Sequence, residues 1–334
     1  MRSGGPVRIV VPDDYNAVYA IAPAMRRLHD RAVVDVHTTM PQSLGEWVER
    51  LADAEIIVAN RERIPLGVEL LDRLPRLEMI AQTAGGGSHL DLAAATERGI
   101  LVTGTAGATA PTVELTVGLI LAAMRRIPYG DAELRAGRWS QFVGRNLAGK
   151  RLGVVGLGRI GGGVARACAA LDMAVSAWSP SLTPERAADA RVEYRLLDDL
   201  LAEADVVTVH LRLTPTSSGI LDRARLERMK PETLFVNTAR AALIDEGALV
   251  EMLQTGRLWG AALDVYAEEP LPPNHPLVAL PNVVLTPHIG WVAEASYAVF
   301  IDGVVENILA YLDGRPVPFP LNPDALSHRA DTRP

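Results

Sequence analysis

The chain has 334 residues, 33 basic and 40 acidic side chains, and a formal net charge of −7. With 49% apolar residues, 28 Gly and 23 Pro, it is neither globally disordered nor a low-complexity polymer, and a length of roughly two domains can bury an extended core. The acidic excess leaves no electrostatic footprint for a nucleic-acid backbone or an anionic membrane.

Short β-branched runs predict strands at 7–11, 33–37, 55–59, 77–82 and 100–103, separated by helical patterns at 16–29, 44–52, 68–74 and 90–98. Alternation of this kind implies right-handed crossovers and a parallel sheet. The first run has acidic flanks where a secretory leader would be apolar, so no signal peptide is expected. A long helix opens at Pro111-Thr112-Val113-Glu114 and is expected to reach about residue 127. Its apolar stretch, 115–124, is about half the length that crosses a bilayer and stops at Arg125-Arg126, so no membrane span is expected.

A second series of strands follows at 151–155, 173–177, 206–210, 233–237, 258–263 and 283–286. Helix 162–171 carries Cys168, the single cysteine, which reads as core packing. One cysteine cannot form an internal disulfide, and a reducing, cytoplasmic location is expected. A helix over 292–312 is long enough to return to the first series, and a Pro-rich stretch at 315–323 follows.

The run Gly156-Leu157-Gly158-Arg159-Ile160-Gly161 follows the apolar strand 152–155 and opens the helix at 162–171. The first glycine permits a tight turn, the second lets backbone approach a pyrophosphate, and the third lets helix and strand pack closely. The helix N-terminus then offers unsatisfied N–H groups to the anion. This placement predicts dinucleotide binding. The next strand should end in an acidic residue that accepts hydrogen bonds from the adenine ribose, yet Ala177-Trp178-Ser179-Pro180 places Ser179 there. A hydroxyl neither holds the ribose as a carboxylate does nor repels a 2′-phosphate. The nearest downstream arginine is Arg186, not adjacent to Ser179, so NAD is the expected cofactor and NADP stays open.

Further segments are Gly86-Gly87-Ser88-His89-Leu90-Asp91, His210-Leu211-Arg212-Leu213-Thr214-Pro215, Asn237-Thr238-Ala239-Arg240, Ala262-Leu263-Asp264-Val265-Tyr266-Ala267-Glu268-Glu269-Pro270 and Thr286-Pro287-His288-Ile289-Gly290. Together with the glycine turn and the helix start at Pro111, they resemble the D-isomer-specific 2-hydroxyacid dehydrogenases over roughly residues 75–300. The resemblance implies a two-lobed α/β fold, a Rossmann-type NAD(P)-binding domain (104–289) inserted in a flavodoxin-like substrate or catalytic domain (1–103 with 290–334). It implies an active site in the cleft between the lobes, with crossing helices near Pro111 and Val292 acting as hinges.

The implied reaction interconverts a 2-keto acid and a D-2-hydroxy acid, and the implied catalytic residues are Arg240, Glu269 and His288. Arg240 would hold the substrate carboxylate with its planar fork and polarise the carbonyl as charge develops. His288 would be general acid in reduction and base in oxidation, because imidazole titrates near working pH. Glu269 would fix the tautomer from the other ring nitrogen. Taken singly, each could be an ordinary loop histidine, a helix-capping arginine or a solvated glutamate; their ordered co-occurrence carries the assignment. The adjacent proline selects Glu269 over Glu268.

Cofactor contacts are implied for Gly156, Gly158, Arg159, Ile160, Gly161, Ser179, Thr214, Thr238, Ala239, Arg240, Asp264, His288 and Gly290, with Asp264 on the nicotinamide carboxamide. Substrate contacts are implied for Arg240, His288 and the backbone of Gly85 and Gly86. His210, at a strand end, is read as structural before the alternative that it approaches the cofactor. No His/Cys spacing resembles a zinc site and no acidic loop a calcium site, so no metal is expected. Relatives imply a homodimer. Formate oxidation by a related group is disfavoured, because that group carries Gln where Glu269 stands. The alternative reading is a dinucleotide-sensing corepressor on the same scaffold.

Overall fold

The computed structural model describes residues 5–85 and 89–327, and the chain divides into two compact units, Met1–Ala108 with Ala293–Pro334 and Thr109–Val292. In the first unit five strands run parallel: β1 (Val7–Val11), β2 (Ala32–Val36), β3 (Ile56–Ala59), β4 (Met79–Gln82) and β5 (Leu101–Thr103). Their order, β2-β1-β3-β4-β5, is flavodoxin-like. β3, β4 and β5 are buried along their whole length, which is why they read as unbroken apolar runs. Helix Glu294–Leu312 is apolar and long enough to cross a bilayer by length and composition, but ten of its 19 residues are buried inside this unit.

The expected helix at 16–29 is reduced to a 3₁₀ turn at Pro23–Met25 and one helical turn at Arg26–His29. The Asp14 carboxylate is the reason. It accepts from Val18, Tyr19 and Ala20 N–H at 2.8, 2.9 and 3.3 Å, tying up the donors a helix would need.

The second unit holds seven parallel strands: β6 (Arg151–Val155), β7 (Ala174–Trp178), β8 (Glu193–Tyr194), β9 (Val206–Val209), β10 (Leu234–Asn237), β11 (Gly260–Leu263) and β12 (Val283–Leu285). The order β12-β11-β10-β9-β6-β7-β8 is that of a Rossmann sheet with one added strand. Alternate residues feed the cores on its two faces. Val207 and Val209 join Phe235 and Leu263 on one, whereas Val206 joins Leu152, Val154 and Val236 on the other. The chain leaves β6 in one direction through β7 and returns on its other side as β9, so the β6/β9 boundary is the switch point where such sheets bind ligands.

Two further features of this unit differ from the sequence reading. The helix opening at Pro111 spans Ala110–Met124, and Arg126 then takes a left-handed φ of 52° before a second helix, Ile127–Arg135. The two-residue edge strand β8 was not expected. Cys168 is fully buried in helix Arg159–Ala169, and burial pushes its thiol up to about 11.

Candidate active site

The glycine turn joins β6 to helix Arg159–Ala169, which begins three residues earlier than expected and so places Arg159 and Ile160 in its first turn. Gly156 has φ +109°, and a Cβ on it would lie 2.7 Å from the His210 carbonyl carbon at the end of β9. A Cβ on Gly161 would meet the Gly156 carbonyl oxygen at 2.1 Å, so helix and turn touch backbone to backbone. Gly158 is different: its added Cβ would meet nothing within 4 Å. Open space over the middle glycine, at the N-terminus of an eleven-residue helix, fits the diphosphate of a dinucleotide.

A cleft of about 310 Å³ runs along this turn, lined also by Ser179, Arg186, His210 and Arg212. Ser179 Oγ accepts from Leu157 N at 2.7 Å, so the residue expected to face the ribose also braces the glycine turn. His210 is held by Thr208 Oγ1 at 2.9 Å from its Nε2, and burial brings it down to about 3. It stays uncharged at the wall of the cleft.

Three loops at the carboxyl ends of β10, β11 and β12 carry most of the remaining candidates. After β10, Asn237 accepts from Ala239 N at 2.9 Å and donates from Nδ2 to Arg240 O at 3.0 Å, fixing the turn that carries Thr238, Ala239 and Arg240. Thr238 Oγ1 lies 2.9 Å from Thr116 Oγ1, and Arg240 Nη1 donates to Ala239 O at 2.7 Å. Thr214, after β9, sits in a turn in which its N–H donates to Ser217 Oγ at 2.8 Å.

After β11, Asp264 is buried, and its carboxylate takes three hydrogen bonds from the loop after β12. Oδ1 accepts from Thr286 Oγ1 at 2.5 Å and Ile289 N at 2.9 Å, while Oδ2 accepts from Gly290 N at 2.8 Å. Burial raises the Asp264 carboxyl against these donors, which act to lower it. The Asp264 carboxylate grips the segment carrying His288. That grip matters because His288 has φ 52°, a left-handed conformation costing on the order of 1 kcal/mol or more for a residue with a Cβ. Gly290 leaves room for it, since a Cβ there would stand 3.0 Å from Asp264 Oδ2.

His288 Nδ1 lies 2.7 Å from Glu269 Oε2, and Glu269 Oε1 accepts from Tyr266 N at 3.0 Å. Burial acts to raise the Glu269 carboxyl. The hydrogen bonds from His288 and Tyr266, with the charges of His288 and Arg240, outweigh it and hold the group below the ordinary carboxylate range. Tyr266 was missed by sequence reasoning. Its hydroxyl donates toward the carbonyls of Leu263 and Thr286 at 3.0 and 2.8 Å, tying the β11 and β12 loops together. Its place three residues before Glu269 was the available signal.

In the first unit, Gly85 follows β4 in a turn where Ala84 has φ 58° and its N–H donates to Thr105 Oγ1 at 2.8 Å. An added Cβ on Gly85 would meet nothing within 4 Å. Gly86 lies outside the described residues. Among the described residues no group of three or more His, Cys, Asp or Glu side chains is arranged to hold a metal ion.

Residues 117–290 match the sequence model of the D-isomer specific 2-hydroxyacid dehydrogenase, NAD binding domain. The chain is 39% identical over 289 residues to a D-3-phosphoglycerate dehydrogenase of Archaeoglobus fulgidus, covering 85% of this chain and 54% of the relative, so it spans about half the length of that protein. It is 40% identical over 271 residues to a glyoxylate reductase of Aeropyrum pernix, covering 78% of this chain and 81% of the relative. A crystal structure of a protein assigned as a D-3-phosphoglycerate dehydrogenase oxidoreductase from Ralstonia solanacearum superimposes with a TM-score of 0.91 at 37% identity, over 96% of this chain and 98% of that one.

Proposed function

The chain belongs to the D-isomer-specific 2-hydroxyacid dehydrogenase family, NAD-dependent oxidoreductases that interconvert 2-keto and 2-hydroxy acids, and we propose that Arg240, Glu269 and His288 carry out this reaction on a D-2-hydroxy acid. The observation that carries the proposal is the 2.7 Å contact between His288 Nδ1 and a Glu269 carboxylate held ionised. With Nδ1 committed to the carboxylate, Nε2 is the nitrogen that gives a proton to the carbonyl oxygen in reduction and takes it back in oxidation. Glu269 stabilises the positive ring that this exchange requires.

Arg240 binds the substrate carboxylate through its fork and offers positive charge to the carbonyl oxygen as it becomes an alkoxide. A nicotinamide dinucleotide, when bound, would supply the hydride that the carbonyl carbon gains in reduction and would take up the one the carbinol carbon loses in oxidation. Gly156, Gly158, Arg159, Ile160 and Gly161 hold its diphosphate, Ser179 faces the adenine ribose, and Thr214, Thr238, Ala239, Asp264 and Gly290 complete the dinucleotide site. By the family resemblance, Gly85 and Gly86 are proposed as further substrate contacts. We retain the division into a substrate or catalytic domain, 1–103 with 290–334, and a dinucleotide-binding domain, 104–289, the latter carrying Arg240 and His288.

We place the protein in the cytoplasm as a homodimer, acting on a small acid and on neither nucleic acid nor membrane. Trp139 at 83% exposure and Val143 at 96%, in the segment after helix Ile127–Arg135, support a second copy as their cover.

Purified protein with NADH or NADPH should oxidise the cofactor when given glyoxylate, hydroxypyruvate, pyruvate or phenylpyruvate. A corepressor would bind the dinucleotide and turn over none of these acids.

A further inference from the structure

We propose that the cleft beside the glycine turn accepts the 2′-phosphorylated dinucleotide NADP(H), with Arg186 as its phosphate partner and Arg212 adding positive charge to the same space. The inference rests on the reading that this cleft holds a nicotinamide dinucleotide. Its residues include Arg186, Arg212, Ser179 and Ser181, and no Asp or Glu lines it among the described residues. A ribose 2′-hydroxyl is held by an acceptor such as a carboxylate, whereas a phosphate accepts only and calls for donors.

Two of the groups in the cleft are placed to donate. Ser179 Oγ already accepts the Leu157 N–H at 2.7 Å, which leaves its own proton to give. Arg186 is anchored by its backbone N–H on Thr183 Oγ1 at 3.3 Å, and its Nη1 donates to Ser181 O at 2.8 Å. One bond from a guanidinium with five N–H groups leaves further donors for a phosphate. The carboxylate that would repel a 2′-phosphate is absent from the position where NAD-selective sites carry it. Sequence spacing did not show this, because six residues stand between Ser179 and Arg186, whose guanidinium is held at the cleft by its bond to Ser181 O.

Titration of intrinsic and cofactor fluorescence with NADPH and NADH tests the inference without turnover. The wild-type protein is expected to bind NADPH no more weakly than NADH. Arg186→Ala should raise the NADPH Kd by about tenfold while NADH stays within about twofold, and Ser179→Asp should invert the preference. NADH binding more than about tenfold tighter than NADPH in the wild type, or equal losses for both cofactors in Arg186→Ala, overturns the proposal. Failure to bind either cofactor overturns instead the dinucleotide reading beneath it.

Discussion

His288 Nδ1 sits 2.7 Å from Glu269 Oε2, and this contact decides which ring nitrogen is left for the substrate. Glu269→Gln keeps the size of the side chain and one acceptor but removes the charge. For keto-acid reduction, kcat should fall by about 10- to 100-fold, with the alkaline limb of its pH profile moved to lower pH. The same variant has a stability signature. Because the folded Glu269 carboxyl is held below its ordinary 4.5, its contribution is present above that value and is lost as pH falls through the lower folded value. Thermal melts in acid should show that Glu269→Gln has lost this part of the decline.

Arg240 is assigned the carboxylate anchor and the polarising charge together. Arg240→Ala should therefore raise KM for the acid and lower kcat, reducing kcat/KM by about 10² to 10³. Arg240→Lys keeps a charge but not the fork, so it should recover only part of the loss. Unchanged steady-state kinetics in both variants would move the anchor elsewhere.

Asp264 grips Thr286, Ile289 and Gly290 with both carboxylate oxygens. Asparagine supplies one oxygen and sets an NH2 against a backbone N–H, a buried mismatch of about 1–3 kcal/mol. Asp264→Asn should speed hydrogen exchange of the Ile289 and Gly290 amides and lower kcat by about tenfold, the cost of a loosened His288. Exchange unaltered in the variant would mean that the loop is held by other contacts.

In the first unit, Asp13 is fully buried between β1 and β3, taking Asn60 N at 3.1 Å and Asn60 Nδ2 at 2.9 Å. Burial raises its carboxyl from 3.8 to about 7, over the opposing effects of Arg63 and Asn60. The folded state thus binds a proton that the unfolded chain has released, and stability should decline as pH rises from 3.8 to about 7. Melting curves of Asp13→Asn across this window should lack that decline.

The sheets were legible in the sequence because β-branched runs buried on both faces leave no polar alternation to confuse them; β1 and β6 match residue for residue. Local competition was not legible. The three N–H groups taken by Asp14 dissolve the pattern at 16–29, and Arg126 breaks a helix whose apolar spacing continues past it. β8 escaped because two residues at a sheet edge carry no period. At the site, Arg240, Glu269 and His288 were singled out by the resemblance to a known family, since none of the three stands out by its own spacing. The work of Asp264 and Tyr266 did not appear, because it consists of hydrogen bonds between loops, spanning 26 and 20 residues.

The most direct test is a single-turnover measurement on His288→Gln, mixing a saturating keto acid with protein preloaded with NADH. Oxidation of the bound cofactor should slow by about 10² to 10⁴, with the NADH Kd unchanged within about twofold. A rate equal to that of the wild type would contradict the assignment of His288 as proton donor, and with it the account of this site.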